Sequence, residues 1–284
     1  RHSALKTLVS ISVILAIGLG FSEPIAQQNK PLKLLVGMFD SIKNIRTLHT
    51  KIHAIERIDN TFNIAHSEIK VNTHPRKLYF INPAKKLEVL YNAEVSKKAV
   101  VKPHVFPYLT VHLDPLGNLM RKSQHYTIHE LGFEFIAKTI ALTLRNEKEI
   151  PEHFTYHGKV QKNGYTCHLL QFEDDSYSYR KYTVGDKETA TSIAYKLCVN
   201  EYLLRHKNNL LNEFTYLKKG KVIGVPTLYC KKAVIYVDEK QMVPVSISLF
   251  DDEGLFESYT FSSITVNKPF PKDEFLLDNK AYGF

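Results

Sequence analysis

The chain has 284 residues, of which 44 % are hydrophobic and 24 % charged, with 12 glycines, 12 prolines and no tryptophan. That balance excludes collagen-like, disordered and low-complexity chains, and the length suits one large domain or one domain carrying a smaller one. The net charge of +9 is scattered: Lys85-Lys86, Lys97-Lys98, Lys218-Lys219 and Lys231-Lys232 never grow into a tract, so a nucleic-acid partner is not expected.

The first residue is Arg rather than Met, and a true start is expected upstream of it. Arg1–Ala26 differs from everything after it. Arg1 and Lys6 precede Leu8–Phe21, an uncharged run of 14 residues. A membrane-crossing helix needs roughly 20. The pattern fits a secretory signal peptide, with cleavage after Ser22 or Ala26; an uncleaved anchor is the alternative. Losing Arg1, Lys6 and Glu23 leaves +8, an exported basic protein suited to an anionic neighbour such as a membrane surface or a cell-wall polymer.

Pro31–Arg46 has helical period, with Leu34, Leu35, Met38, Ile42 and Ile45 near one face and Pro31 in the first turn. Period two then predicts strands at 48–58, 63–73, 77–81, 87–91 and 109–113, with turns at Asp59-Asn60, His74-Pro75, Asn82-Pro83 and Asp114–Gly117. Leu131–Leu144 is a second amphipathic helix, carrying Phe135, Ile136, Ile140 and Leu144 on one stripe. Strands 154–161 and 165–172 are joined by Asn163-Gly164, a strong hairpin signal. After a further strand at 177–181, residues 233–237, 243–250 and 255–261 read as a meander. Val243, Val245, Ile247 and Leu249 alternate there with Pro244, Ser246 and Ser248. About ten strands and two helices predict an α+β fold, a large curved antiparallel sheet (half-barrel) whose concave face suits an apolar ligand.

The three cysteines are too few for a disulfide scaffold; Cys167 with Cys230 is the pair to test as a bridge, and buried free thiols are the alternative. His49/His53, His125/His129 and His153/His157 share HxxxH spacing. The first and last pairs fall in strands, where four residues span roughly 13 Å, so no metal is expected. The acids Glu173–Asp175 and Asp251–Glu253 read as turn residues. Phe62, Tyr79, Phe80, Tyr91, Phe106 and Tyr108 read as core. No P-loop, dinucleotide or GxSxG pattern is present.

Ala233–Phe275 resembles the end of periplasmic lipoprotein carriers (LolA/LolB-like), through Asp238, Pro244, the acidic turn 251–254, Asn267, Pro269 and Phe275. The stretches HPRKLYFINPAKKLEVLY and HYTIHELGFEFI resemble a family of unknown function in secreted bacterial proteins. Tyr182–Tyr229 resembles a LysM module, a small βααβ unit, through Tyr182-Thr183-Val184, Thr189, Ile193, Leu203, Asn208 and Pro226. It departs from LysM where Gly-Asp-Thr-Leu is here Lys187-Glu188-Thr189-Ala190. The first resemblance implies a discontinuous carrier-like domain, 27–181 and 230–284. The second implies a glycan-binding insert, 182–229, using Lys187, Glu188, Thr189, Ala190, Asn208 and Asn209, or one retained for structure alone. Together they imply an exported periplasmic or envelope protein that is not an enzyme and uses no cofactor or metal. It would hold a lipid or lipoprotein acyl chain and associate with peptidoglycan. The alternatives are a structural peptidoglycan-associated protein without lipid, and an envelope hydrolase.

Overall fold

The computed structural model describes residues 30–146 and 150–284; the expected signal segment 1–26 lies outside them. Helix α1 (Lys30–Lys43) leads into a run of antiparallel strands: β1 (Thr47–Ile58), β2 (Thr61–Asn72), β3 (Lys77–Asn82), β4 (Leu87–Asn92), β5 (Ala99–Pro103) and β6 (Val111–Leu113). Then come α2 (Asn118–Arg121), α3 (Glu134–Asn146), α4 (Ile150–His153), and the hairpin β7 (Phe154–Lys162) and β8 (Tyr165–Glu173). A second unit follows, with β9 (Tyr179–Thr183), α5 (Ala190–Leu197), α6 (Glu201–Lys207) and β10 (Val222–Pro226). The closing meander is β11 (Lys232–Asp238), β12 (Pro244–Asp251) and β13 (Gly254–Val266).

Eleven strands form one open antiparallel sheet in the order β6-β5-β4-β3-β2-β1-β13-β12-β11-β8-β7. The first and last long strands meet at its middle, where Leu48 faces Val266 and Glu56 faces Glu257. Asn267 secures that seam: its side-chain oxygen accepts from the Arg46 N–H at 2.7 Å, and its own N–H donates to the Thr47 carbonyl.

Strand alternation sorts the faces. On one side Leu48, Ile52, Ile69, Val71, Leu78, Val89, Val101, Leu170, Ile235, Ile247 and Phe261 are buried beneath α1 and α3. Burying each such side chain is worth roughly 1.5–3 kcal/mol, so this side carries most of the fold's apolar stabilisation. The opposite side is polar at β12 and β13, where Ser246 meets Thr260 and Ser248 meets Ser258 by hydroxyl contacts of 3.0 and 2.8 Å. Over β3–β5 that outer side is covered as well. Tyr79, Leu90 and Val100 pack there with Phe270, Phe275, Tyr282 and Phe284 of the C-terminal tail.

The sequence reading missed β5, because Ala99-Val100-Val101 is apolar without alternation: Ala99 and Val101 face the inner core and Val100 the tail. It also gave 177–181 to the main sheet. Residues 179–183 instead pair with 222–226 as a separate two-stranded sheet. Of the aromatic residues expected in the core, Phe62, Phe106 and Tyr108 are exposed. Two one-turn helices, α2 and α4, join the two expected ones.

No bridge joins Cys167 to Cys230. Cys167 lies opposite Asp238, and Cys230 precedes the far end of that same partner strand, where Lys232 faces Glu173. At about 3.3 Å per residue the two are more than 15 Å apart, against the 7 Å or less that a disulfide spans.

The unit 179–226 has its own core of Val184, Ala190, Ile193, Ala194, Leu204, Ile223 and Val225. Thr189 caps α5 in a reciprocal capping box with Ser192, and Asn200 caps α6 by accepting from the Leu203 N–H. Helix α6 is shared, because Tyr202 and Leu203 belong to the main core. The unit is thus packed onto the sheet domain. Leu203→Ala should lower stability by about 2–5 kcal/mol in a single unfolding transition of the whole chain. Calorimetry showing two separate transitions would contradict this shared core.

Candidate functional site

The segment 124–132 runs across the inner side of the sheet and is held there by one arginine. Arg76, in the β2–β3 turn, donates to the carbonyls of Ile128 and Leu131 at 2.9 and 2.7 Å and to Glu134 at 2.6 Å. Glu130 turns back to accept from the Thr127 N–H and hydroxyl, both at 3.0 Å, and from Lys138. Gly132 has φ +105°, and a Cβ there would stand 2.7 Å from Glu134 Oε2 and 3.3 Å from Leu48, so the turn into α3 requires glycine.

Two cavities flank this segment. The larger, about 350 Å³, lies among α3, α5 and α6 and is lined by Arg121, Tyr126, Glu130, Lys138, Thr191 and Tyr229. The smaller, about 120 Å³, is an apolar cleft against the sheet. Ile52, Ala54, Ala65, Phe80 and Leu87 form its sheet side, and Leu131 and Phe135 cover it. Glu56, Asn63, Asn82 and Lys85 also line the cleft, and Gln124 and Tyr126 line both cavities.

A buried polar network forms the partition. Glu257 is 1 % exposed and accepts from the Tyr126 hydroxyl at 2.6 Å; its other oxygen lies 2.6 Å from His125 Nδ1. His125 Nε2 lies 3.0 Å from the Arg57 carbonyl, which can only accept, so Nε2 carries a proton. A second proton is then shared between Nδ1 and Glu257. Opposite Glu257 on β1, Glu56 accepts from the Tyr259 hydroxyl. The His125 ring stacks on Tyr202 at 3.8 Å, and Tyr229 accepts from Thr139 at 3.1 Å, so α6 and α3 join the same network.

Burial pushes the Glu257 carboxyl above its ordinary range, His125 draws it back, and the Glu56 charge raises it further. For His125, burial alone would lower the pKa. The Glu56 charge, then the hydrogen bond and charge of Glu257, outweigh that and hold it above the ordinary imidazole value. Burial likewise raises the Tyr126 and Tyr259 hydroxyls. Beside the network Arg57 pairs with Asp251, which is buried and also serves the expected turn by accepting from the Glu253 N–H at 2.9 Å.

The residues expected to bind glycan fall elsewhere. Lys187, Glu188, Thr189 and Ala190 form the turn into α5, and Asn208 and Asn209 the end of α6. Glu188 accepts from the Gly185 N–H at 2.7 Å, the Tyr182 hydroxyl at 2.8 Å and Lys196 at 3.0 Å. Asn208 bridges the N–H and carbonyl of Gly224 at 2.8 and 2.7 Å, Thr189 is the cap, and Ala190 is in the unit's core. Lys187 and Asn209 are exposed at φ +52° and +54°. Thr189 alone of the six lines the larger cavity.

His53 stacks on His66 at 4.4 Å, His49 contacts Glu68 at 2.7 Å, and His129 sits edge-on to Tyr91. Among the described residues no group of three or more His, Cys, Asp or Glu could hold a metal. The sequence reading missed Glu56 and Glu257. Their signal is phase: each occupies an inward position in an alternation otherwise filled by Ile52 and Ala54, or by Tyr259 and Phe261.

A long open antiparallel sheet with helices on one side and clefts beneath them is consistent with a half-barrel frame. The chain belongs to the family described as "Protein of unknown function (DUF1571)", whose model matches residues 46–220, more than half of its length. Among solved structures it is similar to the lipoprotein LppX of Mycobacterium tuberculosis, at 13 % identity and a TM-score of 0.42, covering 88 % of this chain and 99 % of that one. It is also similar to LprF from Mycobacterium bovis, at 9 % identity and a TM-score of 0.43, covering 85 % and 95 %. A LolA superfamily protein from Nitrosomonas europaea follows at 7 % identity and a TM-score of 0.31, covering 86 % and 96 %. At these scores the likenesses lend this chain no function. No curated protein matches it.

Removing one member of a buried pair leaves the other uncompensated. Glu257→Ala should therefore cost about 3–5 kcal/mol, and Tyr126→Phe about 1 kcal/mol, in urea unfolding at pH 7. The pH dependence has a definite sign. With both folded pKa values raised, the native state binds more protons, so stability falls as pH rises. The Glu257 contribution erodes from about pH 4.5 upward. That of His125 is complete below about 6.5 and lost through its folded value. Wild-type stability in urea should fall as pH rises above about 6.5, and a stability that rises with pH there would contradict the raised pKa values.

Proposed function

We propose that this protein is an exported cell-envelope binding protein, not an enzyme, that holds the acyl chain of a lipid or lipoprotein in the cleft under segment 124–132. The observation that carries the reading is the apolar lining of that cleft by Ile52, Ala54, Ala65, Phe80, Leu87, Leu131 and Phe135, on a sheet face otherwise filled by α1 and α3. At about 120 Å³ the cleft is smaller than the roughly 300 Å³ at which drug-sized pockets begin. It accepts the end of a chain as it stands and more only if the segment lifts. Each methylene buried there is worth roughly 0.8 kcal/mol.

Export is supported by the leader-like pattern of Arg1–Ala26, and no described helix is long and apolar enough to cross a membrane. In this reading Glu56, Glu257 and His125 partition the two cavities. The unit 179–226 closes the larger one, and no observation favours glycan binding at Glu188 or Asn208, whose polar groups are engaged internally.

The test is uptake of a fluorescent fatty acid by delipidated protein. Wild type should bind at micromolar probe. Ala54→Trp, which fills the cleft from β1, should weaken binding at least tenfold while the circular dichroism spectrum is kept. Equal binding by both proteins would move the site out of the cleft, and no uptake by wild type would end the reading.

A further inference from the structure

Three turns point to one end of the sheet: the β1–β2 tip (Asp59-Asn60), which projects furthest, the β3–β4 turn (83–86) and the β5–β6 loop (104–110). Lys85 Nζ donates to Asn63 Oδ1 at 3.1 Å, the His104 N–H donates to the Lys86 carbonyl at 2.7 Å, and Lys102 Nζ donates to the Tyr108 carbonyl at 2.9 Å. The first bond fastens the β3–β4 turn to β2, the second fastens it to the β5–β6 loop, and the third holds that loop to its own strand.

The rim is apolar in an unusual way. Phe106 is 86 % exposed, Leu109 61 %, Tyr108 59 %, Ile64 57 % and Phe62 53 %. Phe106, Tyr108 and Leu109 stand together on the β5–β6 loop, and Phe62 and Ile64 stand on β2 just after its tip; single exposed apolar side chains are ordinary, but three on one loop mark an interaction surface. Lys85 and Lys86 are exposed among them, with Asp59 the one exposed acid on these three turns. The cleft reaches this end too, since Asn63 and Lys85 line it.

We infer that this rim docks on an anionic lipid bilayer. Phe106, Tyr108 and Leu109 would enter the boundary between headgroups and acyl chains, and Lys85 and Lys86 would face the anionic headgroups. The chemistry favours lipid over a protein partner. Phe and Tyr beside Lys is the composition that seats at a membrane interface, and a basic group gains from the negative potential of anionic lipid. The position fits as well, because a chain leaving the bilayer there would meet the polar end of the cleft, at Asn63 and Lys85. The inference rests on the acyl-chain reading for its purpose, but not for its test.

The experiment is co-sedimentation with large unilamellar vesicles, either pure phosphatidylcholine or phosphatidylcholine with 30 % phosphatidylglycerol. Wild type should bind the anionic vesicles at least tenfold more tightly than the neutral ones, and less tightly as salt rises. Phe106→Glu with Leu109→Glu should lose at least tenfold, and Lys85→Glu with Lys86→Glu should lose the preference for anionic lipid. Phe106 and Leu109 are exposed, so unchanged thermal unfolding is expected of that variant, and the same measurement checks the fold of the lysine variant, which loses the Lys85–Asn63 bond. No binding by wild type, or equal binding by the Phe106/Leu109 variant, would overturn the docking surface. So would wild type sedimenting as a dimer that this variant dissolves, because a second copy would then cover the rim. Fatty-acid uptake from water separates the two readings. A Phe106/Leu109 variant that takes up probe from solution but not from vesicles supports both. Wild type that binds vesicles but never takes up probe retains the docking surface and loses the acyl-chain reading.

Discussion

The carboxylate of Glu257 is the interaction on which the interior of this protein depends. It lies on the central strand pair, out of water, where an unpaired charge would cost far more than one hydrogen bond returns. It is therefore held by two side chains of one segment, His125 and Tyr126. Those contacts bring segment 124–132 across the sheet and divide the space beneath it in two. They also link distant parts of the chain, since Tyr202 of α6 stacks on His125 and Tyr229 bridges Tyr126 to Thr139 of α3.

The sheet sets the conditions for this arrangement. Strands alternate, so one curled face collects the aliphatic side chains and must be covered, while the outer face is polar at the centre. Near β3–β5 both faces are apolar, and the tail residues Phe270, Phe275, Tyr282 and Phe284 cover the outer one. Two helices and a segment cannot fill a concave surface of this extent. The cleft between Ile52, Ala54 and Phe135 is space left under that cover, and it gives the acyl-chain reading its physical content.

The unit 179–226 shares its packing with the sheet domain. It folds around its own small core, yet Tyr202 and Leu203 face the other way into the main one. Its conspicuous polar residues serve its own fold: Thr189 caps a helix, Glu188 fastens a turn, and Asn208 fastens β10 to α6.

By itself the sequence determined much of the local structure. Alternation and turn residues located ten of the eleven strands in the large sheet, and helical period located α1 and α3, because these depend on neighbours a few positions apart. It also determined that Val245, Ile247 and Leu249 share a buried face. Only the tertiary structure decided what lies opposite what. Glu56 meets Glu257, two hundred residues on, because β1 and β13 pair, and His125 reaches them because Arg76 holds its segment down. The strand 179–183 joined β10 because pairing is a choice among partners, and local pattern does not rank them. The Cys167–Cys230 pair failed for the same reason: register placed them at opposite ends of neighbouring strands. Phe106 and Phe62 look like core residues in a string of letters. Phe106 is exposed on the β5–β6 loop, and Phe62 stands near the start of β2 on the side of the strand opposite Ile69 and Val71.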